Sequence, residues 1–220
     1  MFTLLRPLAL LLALTLAPAR AAAPVVFDFE GPLTSAGLPA AWNLKRWSPV
    51  VPIGDFVATA AVEGPVGQRV LRVVSERSGL MVGTERPLVL GSHRKVSWSW
   101  RVEALPAGAS FRARATNDQA LQLLFGFEGG EVVGYIWDST GQVGASGSGL
   151  SFQEDVRVIV LRAGPADLGR WVREERDLVR DFEVLFGHAP PRLMGVAVQS
   201  NSQHTGSRGE GLVGAIRLSE

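Results

Sequence analysis

The sequence predicts an all-β protein, a two-sheet antiparallel sandwich carrying one short helix near residues 177–186. Three observations predict it. Apolar residues recur at every second position in one segment after another, which is the period of a half-buried strand. Gly, Pro, Ser and Asn fill the gaps between those segments as turn chemistry. A helical period is missing after most of them, whereas a parallel sheet needs a helix to cross from strand to strand.

Residues 1–21 stand apart from that pattern. Arg6 and Pro7 precede an apolar run over residues 8–16, which closes in Ala17-Pro18-Ala19-Arg20-Ala21. The run is too short to span a bilayer core of about 30 Å, but it has the length and the small-residue ending of a signal peptide. Cleavage is expected after Ala21, leaving residues 22–220 as a single exported domain, periplasmic or secreted, with no second stretch long enough to span a membrane. The segment holds two arginines and no acid, so its removal takes the net charge from +1 to −1.

The first strands are expected at residues 25–29, 56–62, 69–74 and 80–84, with a turn at Glu63-Gly64-Pro65-Val66-Gly67 between the second and third. The next, at 96–102, alternates without a fault. Val96, Trp98, Trp100 and Val102 face one way, and Ser97, Ser99 and Arg101 the other. Further strands are expected at 121–127, 132–138, 156–162, 193–199 and 212–218, and the Ser/Gly run at 144–149 reads as a flexible loop. Residues 168–186 admit two readings. Leu168, Trp171, Val172, Leu178, Val179, Phe182, Leu185 and Phe186 suit one long amphipathic helix ended by Gly187 and Pro190-Pro191. The reading preferred here divides them into an extended edge strand at 170–176 and a short helix capped by Asp177.

Composition limits function. The 46% apolar and 20% charged content is that of a globular protein, and 22 basic against 21 acidic residues give no field that would draw it onto nucleic acid. The absence of cysteine removes disulfides, thiolate zinc sites and thiol nucleophiles. His93, His188 and His204 are too scattered to share a metal, so neither metal nor cofactor is expected. No serine in the Ser/Gly run has Gly on both sides at the spacing of a nucleophile elbow.

A glycosidase needs two carboxylates about 5 to 10 Å apart. Asp138, after Trp137, is the best candidate, but Glu128 and Glu131 sit by a glycine turn where solvated acids are ordinary. Asp118 beside Asn117 offers hard oxygens, far short of the about six to eight that calcium takes. No catalytic constellation emerges, and the expected class is non-catalytic. Tyr135 and Trp137 share one strand face about 7 Å apart. Exposed, they make a platform for a sugar ring; buried, they are core.

The order Trp98-Ser99-Trp100-Arg101-Val102, Gly134-Tyr135-Ile136-Trp137, Leu168-Gly169-Arg170-Trp171, Asp181-Phe182-Glu183-Val184-Leu185-Phe186-Gly187, Pro190-Pro191-Arg192-Leu193-Met194-Gly195 and Thr205-Gly206 resembles the DUF3047 family of exported bacterial proteins of unassigned function. The resemblance implies a jelly-roll sandwich like that of carbohydrate-binding modules. It also shows two departures. The family pattern carries an Arg where this chain has Gln122, and a late loop of the form Asp-Thr-Asp-Asn-Thr-Gly where this chain has Asn201-Ser202-Gln203-His204-Thr205-Gly206. Losing one Arg and two Asp together is what a single electrostatic unit would do, and it predicts Gln122 and Asn201 as near neighbours; unrelated surface drift is the alternative.

Two functions stay open. One is an exported binding module for a glycan or small ligand, using Asp118, Gln122, Tyr135, Trp137, Asp138, Asn201 and His204. The other is an envelope structural or protein-interaction domain. A glycan-active hydrolase or lyase is a third, weaker reading.

Overall fold

The computed structural model describes residues 22–45, 50–60, 68–149 and 155–220. The signal segment, Trp47, the turn at 63–67 and the end of the strand expected at 56–62 lie outside these residues. Two seven-stranded sheets pack face to face. The first runs β1 (Val25–Phe27), β14 (Ile216–Ser219), β6 (Lys95–Ala104), β13 (Arg208–Val213), β4 (Arg69–Glu76) and β3 (Asp55–Ala60), with β11 (Val172–Asp177) on the other side of β6. The second runs β2 (Asn43–Lys45), β5 (Gly79–Leu88), β12 (Leu193–Asn201), β7 (Gln119–Phe127), β8 (Glu131–Asp138), β10 (Asp155–Ala163) and β9 (Ser146–Ser148).

The alternation of β6 sets the core. Val96, Trp98, Trp100 and Val102 are all buried and meet the inward residues of the second sheet. Trp98 stacks on Tyr135 with ring centroids 5.2 Å apart, and Trp100 meets Trp137 at 5.9 Å. Rings of this size each bury roughly 150 to 250 Å² and dominate the inter-sheet contact.

The divided reading of 168–186 holds. Residues 172–177 pair antiparallel with β6 from Trp100 to Lys95, and those backbone bonds exclude a helix there. Helix α1 (Leu178–Phe186) then starts at Asp177, whose carboxylate accepts from the Arg180 N–H at 2.8 Å. It stops at Gly187, which takes the left-handed φ of +82° that glycine permits. Leu178 and Phe182 plug one end of the sandwich, where Phe182 lies 4.6 Å from Phe127. Among the described residues, no helix is long and apolar enough to cross a membrane.

Three details differ from the sequence reading. Residues 212–218 do not form one strand: β13 and β14 break at Gly214, and both pair with β6. The Ser/Gly run is not wholly a loop, since Ser146–Ser148 pairs with β10 beneath Phe111, where a Cβ on Gly147 would lie 3.2 Å from the ring. One neighbouring pair, β8 and β10, runs parallel, because the chain between them passes out to β9 before returning.

Candidate binding site

Four of the seven sequence-predicted site residues meet where β7 begins and β12 ends. β7 carries a bulge there, with Gln199 opposite Gln122 and Asn201 opposite Gln119. Leu121 and Leu123 point into the core, so Gln122 points to the outer face of the second sheet. Val198 and Ser200 point inward, Ser200 reaching Ser75 of the first sheet at 3.0 Å, so Gln199 and Asn201 share that outer face.

Asn201 is the joint. Its Oδ1 accepts from the Gln119 N–H at 3.2 Å and from Gln122 Nε2 at 2.9 Å, and its Nδ2 donates to the Asn117 carbonyl and to Asp118 Oδ1, each at 2.9 Å. A backbone donor on one side and a backbone acceptor on the other orient the amide without ambiguity. Gln122 and Asn201 are thus neighbours, as the paired loss of charge predicts.

Asp118 is fully buried and holds the late loop. Oδ2 accepts from the N–H and hydroxyl of Thr205 at 2.6 and 2.8 Å, while Oδ1 takes Asn201, the His204 N–H at 3.3 Å and His204 Nδ1 at 3.1 Å. Gly206, at φ +64°, turns the chain back toward β13. With every lone-pair direction engaged, Asp118 organises the site and has no capacity left for a ligand.

The other three predicted residues do not join this cluster. Tyr135 and Trp137 are 0% and 1% exposed and face the first sheet, so the aromatic platform does not exist and both rings are core. Tyr135 donates to Asp181 Oδ2 at 2.7 Å and Trp137 Nε1 to the Gly164 carbonyl at 3.2 Å. Asp138 is fully buried and braces a loop: it accepts from the N–H groups of Phe111, Thr140 and Gly141 at 2.8, 2.9 and 2.9 Å.

One contributor escapes a reading by residue type. Gln199 is 6% exposed; its side-chain amide makes no hydrogen bond to another described residue and is not among the buried unpartnered groups, so what little of the residue is exposed includes the amide. Gln122, 7% exposed, uses Nε2 on Asn201 and keeps Oε1 unengaged. The two glutamines stand directly opposite each other, which brings their Cβ atoms to about 5 Å. The signal available in the sequence was parity, since Gln199 lies two residues before Asn201.

A cleft of about 360 Å³ opens elsewhere, at the sandwich edge where β9 and β10 face β11 and α1. Its charges are matched. Arg176 forks onto Asp181 through Nε and Nη2 at 2.9 and 2.6 Å, and Glu174 Oε1 accepts from Arg162 Nε at 2.7 Å and Trp100 Nε1 at 3.2 Å. Burial, then the Asp181 carboxylate, push the Tyr135 phenol well above its ordinary range. These groups tie α1 and both sheets together.

No curated protein matches the chain in sequence. Among solved structures it is similar to the xyloglucanase domain of NopAA, a type three effector from Sinorhizobium fredii, in complex with cellobiose. That similarity is 14% identity over 81% of this chain and 93% of that one, with a TM-score of 0.47. It is also similar to the family 11 carbohydrate-binding module of cellulosomal cellulase Lic26A-Cel5E of Clostridium thermocellum, at 12% identity, 91% and 97% coverage and a TM-score of 0.44. The family model described as protein of unknown function (DUF3047) matches residues 58–217, and the chain belongs to that family.

Proposed function

We propose that the protein is an exported, non-catalytic binding domain whose ligand, a glycan or another small polar molecule, lies on the outer face of the second sheet over Gln122 and Gln199. The observation that carries this reading is the pair of amides that Gln122 and Gln199 set side by side on that face, with hydrogen-bonding capacity that no described residue uses. Neither side chain holds an orphaned buried atom, so this capacity meets water and is open to exchange for a ligand's polar groups. A ligand hydroxyl or amide meets the amide of Gln199, and Gln122 Oε1 supplies a second contact beside it.

The acids favour binding over catalysis. Asp118, Asp138 and Asp181 are all buried, and each has both carboxylate oxygens engaged by protein donors, so none stands ready to exchange a proton with a substrate. Export rests on residues 1–21. Its test is the N-terminus of protein recovered from a Gram-negative host: Ala22 on periplasmic material is expected, and Met1 on soluble cytoplasmic protein removes the assignment.

The test of the site is calorimetric titration of glycans and small polar metabolites into the mature protein and its Gln199→Ala and Gln122→Ala variants. Binding that both variants lose while keeping their near-ultraviolet spectra is expected. Binding that neither variant alters overturns the site.

A further inference from the structure

We infer that the cleft at the sandwich edge, with β9 and β10 on one side and β11 and α1 on the other, binds a free α-amino acid with an apolar side chain. It is separate from the amide patch. At about 360 Å³ it falls within the size range of small-molecule sites. Its apolar wall is aliphatic, made by Ile159 and Leu161 of β10 and Leu185 of α1, with Val143 and Val184 at the mouth, 60% and 74% exposed. None of the lining residues is aromatic. The cleft therefore lacks the rings on which a sugar stacks and the cage that a quaternary ammonium takes.

The polar wall is β11. Three consecutive residues, Glu174, Glu175 and Arg176, line the cleft. A strand face shows only alternate residues, so β11 turns its edge to the cleft. Its other edge pairs with β6, and among the described residues no strand pairs with this one. The backbone of that edge offers N–H groups to a carboxylate and carbonyls to an ammonium.

Two side chains add a charge of each sign. Glu174 accepts from Arg162 and Trp100 through Oε1, which leaves Oε2 unengaged among the described residues. Arg176 uses Nε and Nη2 on Asp181, which leaves Nη1 unengaged. Neither atom is a buried orphan, so each meets the water of the cleft and can exchange it for a ligand group. Side chains two apart on a strand leave it about 7 Å from each other, a span that an ammonium and a carboxylate on one carbon bridge with two charge-assisted hydrogen bonds of about 2.8 Å. Arg162 and Asp181 already balance this Glu and this Arg, and Glu175 faces Arg173 at 3.9 Å. A zwitterion enters without changing the net charge of the cleft, whereas a ligand of one sign leaves either Glu174 or Arg176 unmet.

The experiment is calorimetric titration of L-leucine into the mature protein, beside N-acetyl-L-leucine, which lacks the ammonium, L-leucinamide, which lacks the carboxylate, and leucyl-leucine, whose charges stand farther apart. Leucine is expected to bind, and each of the others to bind at least about tenfold more weakly, the size of one lost charge-assisted hydrogen bond. Glu174→Gln should weaken leucine by about tenfold or more. Val184→Arg, at an exposed helix position, should also weaken it by blocking the mouth, while unfolding at the wild-type temperature. Equal affinity for the acetylated or amidated form overturns the zwitterion. Tighter binding of leucyl-leucine makes the ligand a peptide and overturns the free amino acid. Leucine binding that Val184→Arg does not alter overturns the cleft as its site. Absence of binding by leucine, isoleucine, valine and methionine overturns the inference as a whole.

Discussion

Gln122 donates through Nε2 to Oδ1 of Asn201 at 2.9 Å, two uncharged amides joined across β7 and β12 in a largely buried setting. Placing one charge at this joint is costly. Gln122→Arg should destabilise by about 1 to 3 kcal/mol, because a guanidinium gains no carboxylate within reach that is not already saturated. Asn201→Asp should cost more, about 3 to 5 kcal/mol, because one of its oxygens would then face Asp118 Oδ1 and the Asn117 carbonyl where an amide N–H now donates. The double variant pairs the new Arg with the new Asp and should recover about 1 to 3 kcal/mol as coupling. Urea unfolding of the four proteins measures the cycle, and simple additivity would mean that the two positions do not form a unit.

Some of this was legible from residue order and some was not, for physical reasons. The period of β6 announced its buried face, and Asp177 and Gly187 announced the ends of α1 because caps are local chemistry. Tyr135 and Trp137 share a face by the same period, but period alone does not say whether that face looks inward. Trp98 and Trp100 on the opposing sheet decide it. β9 carries no apolar signal of its own, and its Ser-Gly-Ser is held by β10 and by Phe111 from distant sequence. The nearness of Gln122 and Asn201 came from the family resemblance. Gln199 shares the face of Asn201 by parity, but residue order does not say that β12 sets it opposite Gln122 of β7.

Asp181 joins three elements: it sits on α1, accepts from Tyr135 of the second sheet at 2.7 Å and is forked by Arg176 of the first. Asp181→Ala should cost about 2 to 4 kcal/mol, below the range for a wholly buried pair because Arg176 is about one-third exposed. Tyr135→Phe should cost less, about 1 kcal/mol, since it leaves the Arg176 fork in place. Thermal unfolding monitored by tryptophan fluorescence orders the two, and an Asp181→Ala variant as stable as wild type would refute the tie.

Asp138 tests the proposal that the domain is non-catalytic. Asn at this position keeps the oxygen that accepts from Thr140 and Gly141, but it presents an NH₂ to the Phe111 N–H. The expected outcome is a loss of about 1 to 3 kcal/mol in stability with ligand affinity unchanged. Neither wild type nor variant should turn over a panel of glycoside substrates. A hydrolytic rate in the wild type that Asp138→Asn abolishes, with the fold intact, would make Asp138 a catalytic residue.

Tyr135 is the only tyrosine in the chain, so phenolate absorbance reports on one site. Burial chiefly, and the Asp181 carboxylate next, hold its ionisation well above the ordinary range, with Arg176 pulling weakly the other way. Native protein should show no phenolate signal near pH 10, where the same chain in urea is half ionised. The sign of the stability effect follows. Below about pH 10 both states keep the proton and the full contribution is present. Above it the unfolded chain releases the proton first, so stability falls as pH rises toward the folded-state value. Asp181→Asn removes the second cause and keeps the first, so the native titration should move down without reaching the unfolded value. A native protein whose tyrosine ionises near pH 10 would place the ring in water, and the inter-sheet stack on Trp98 could not then be as described.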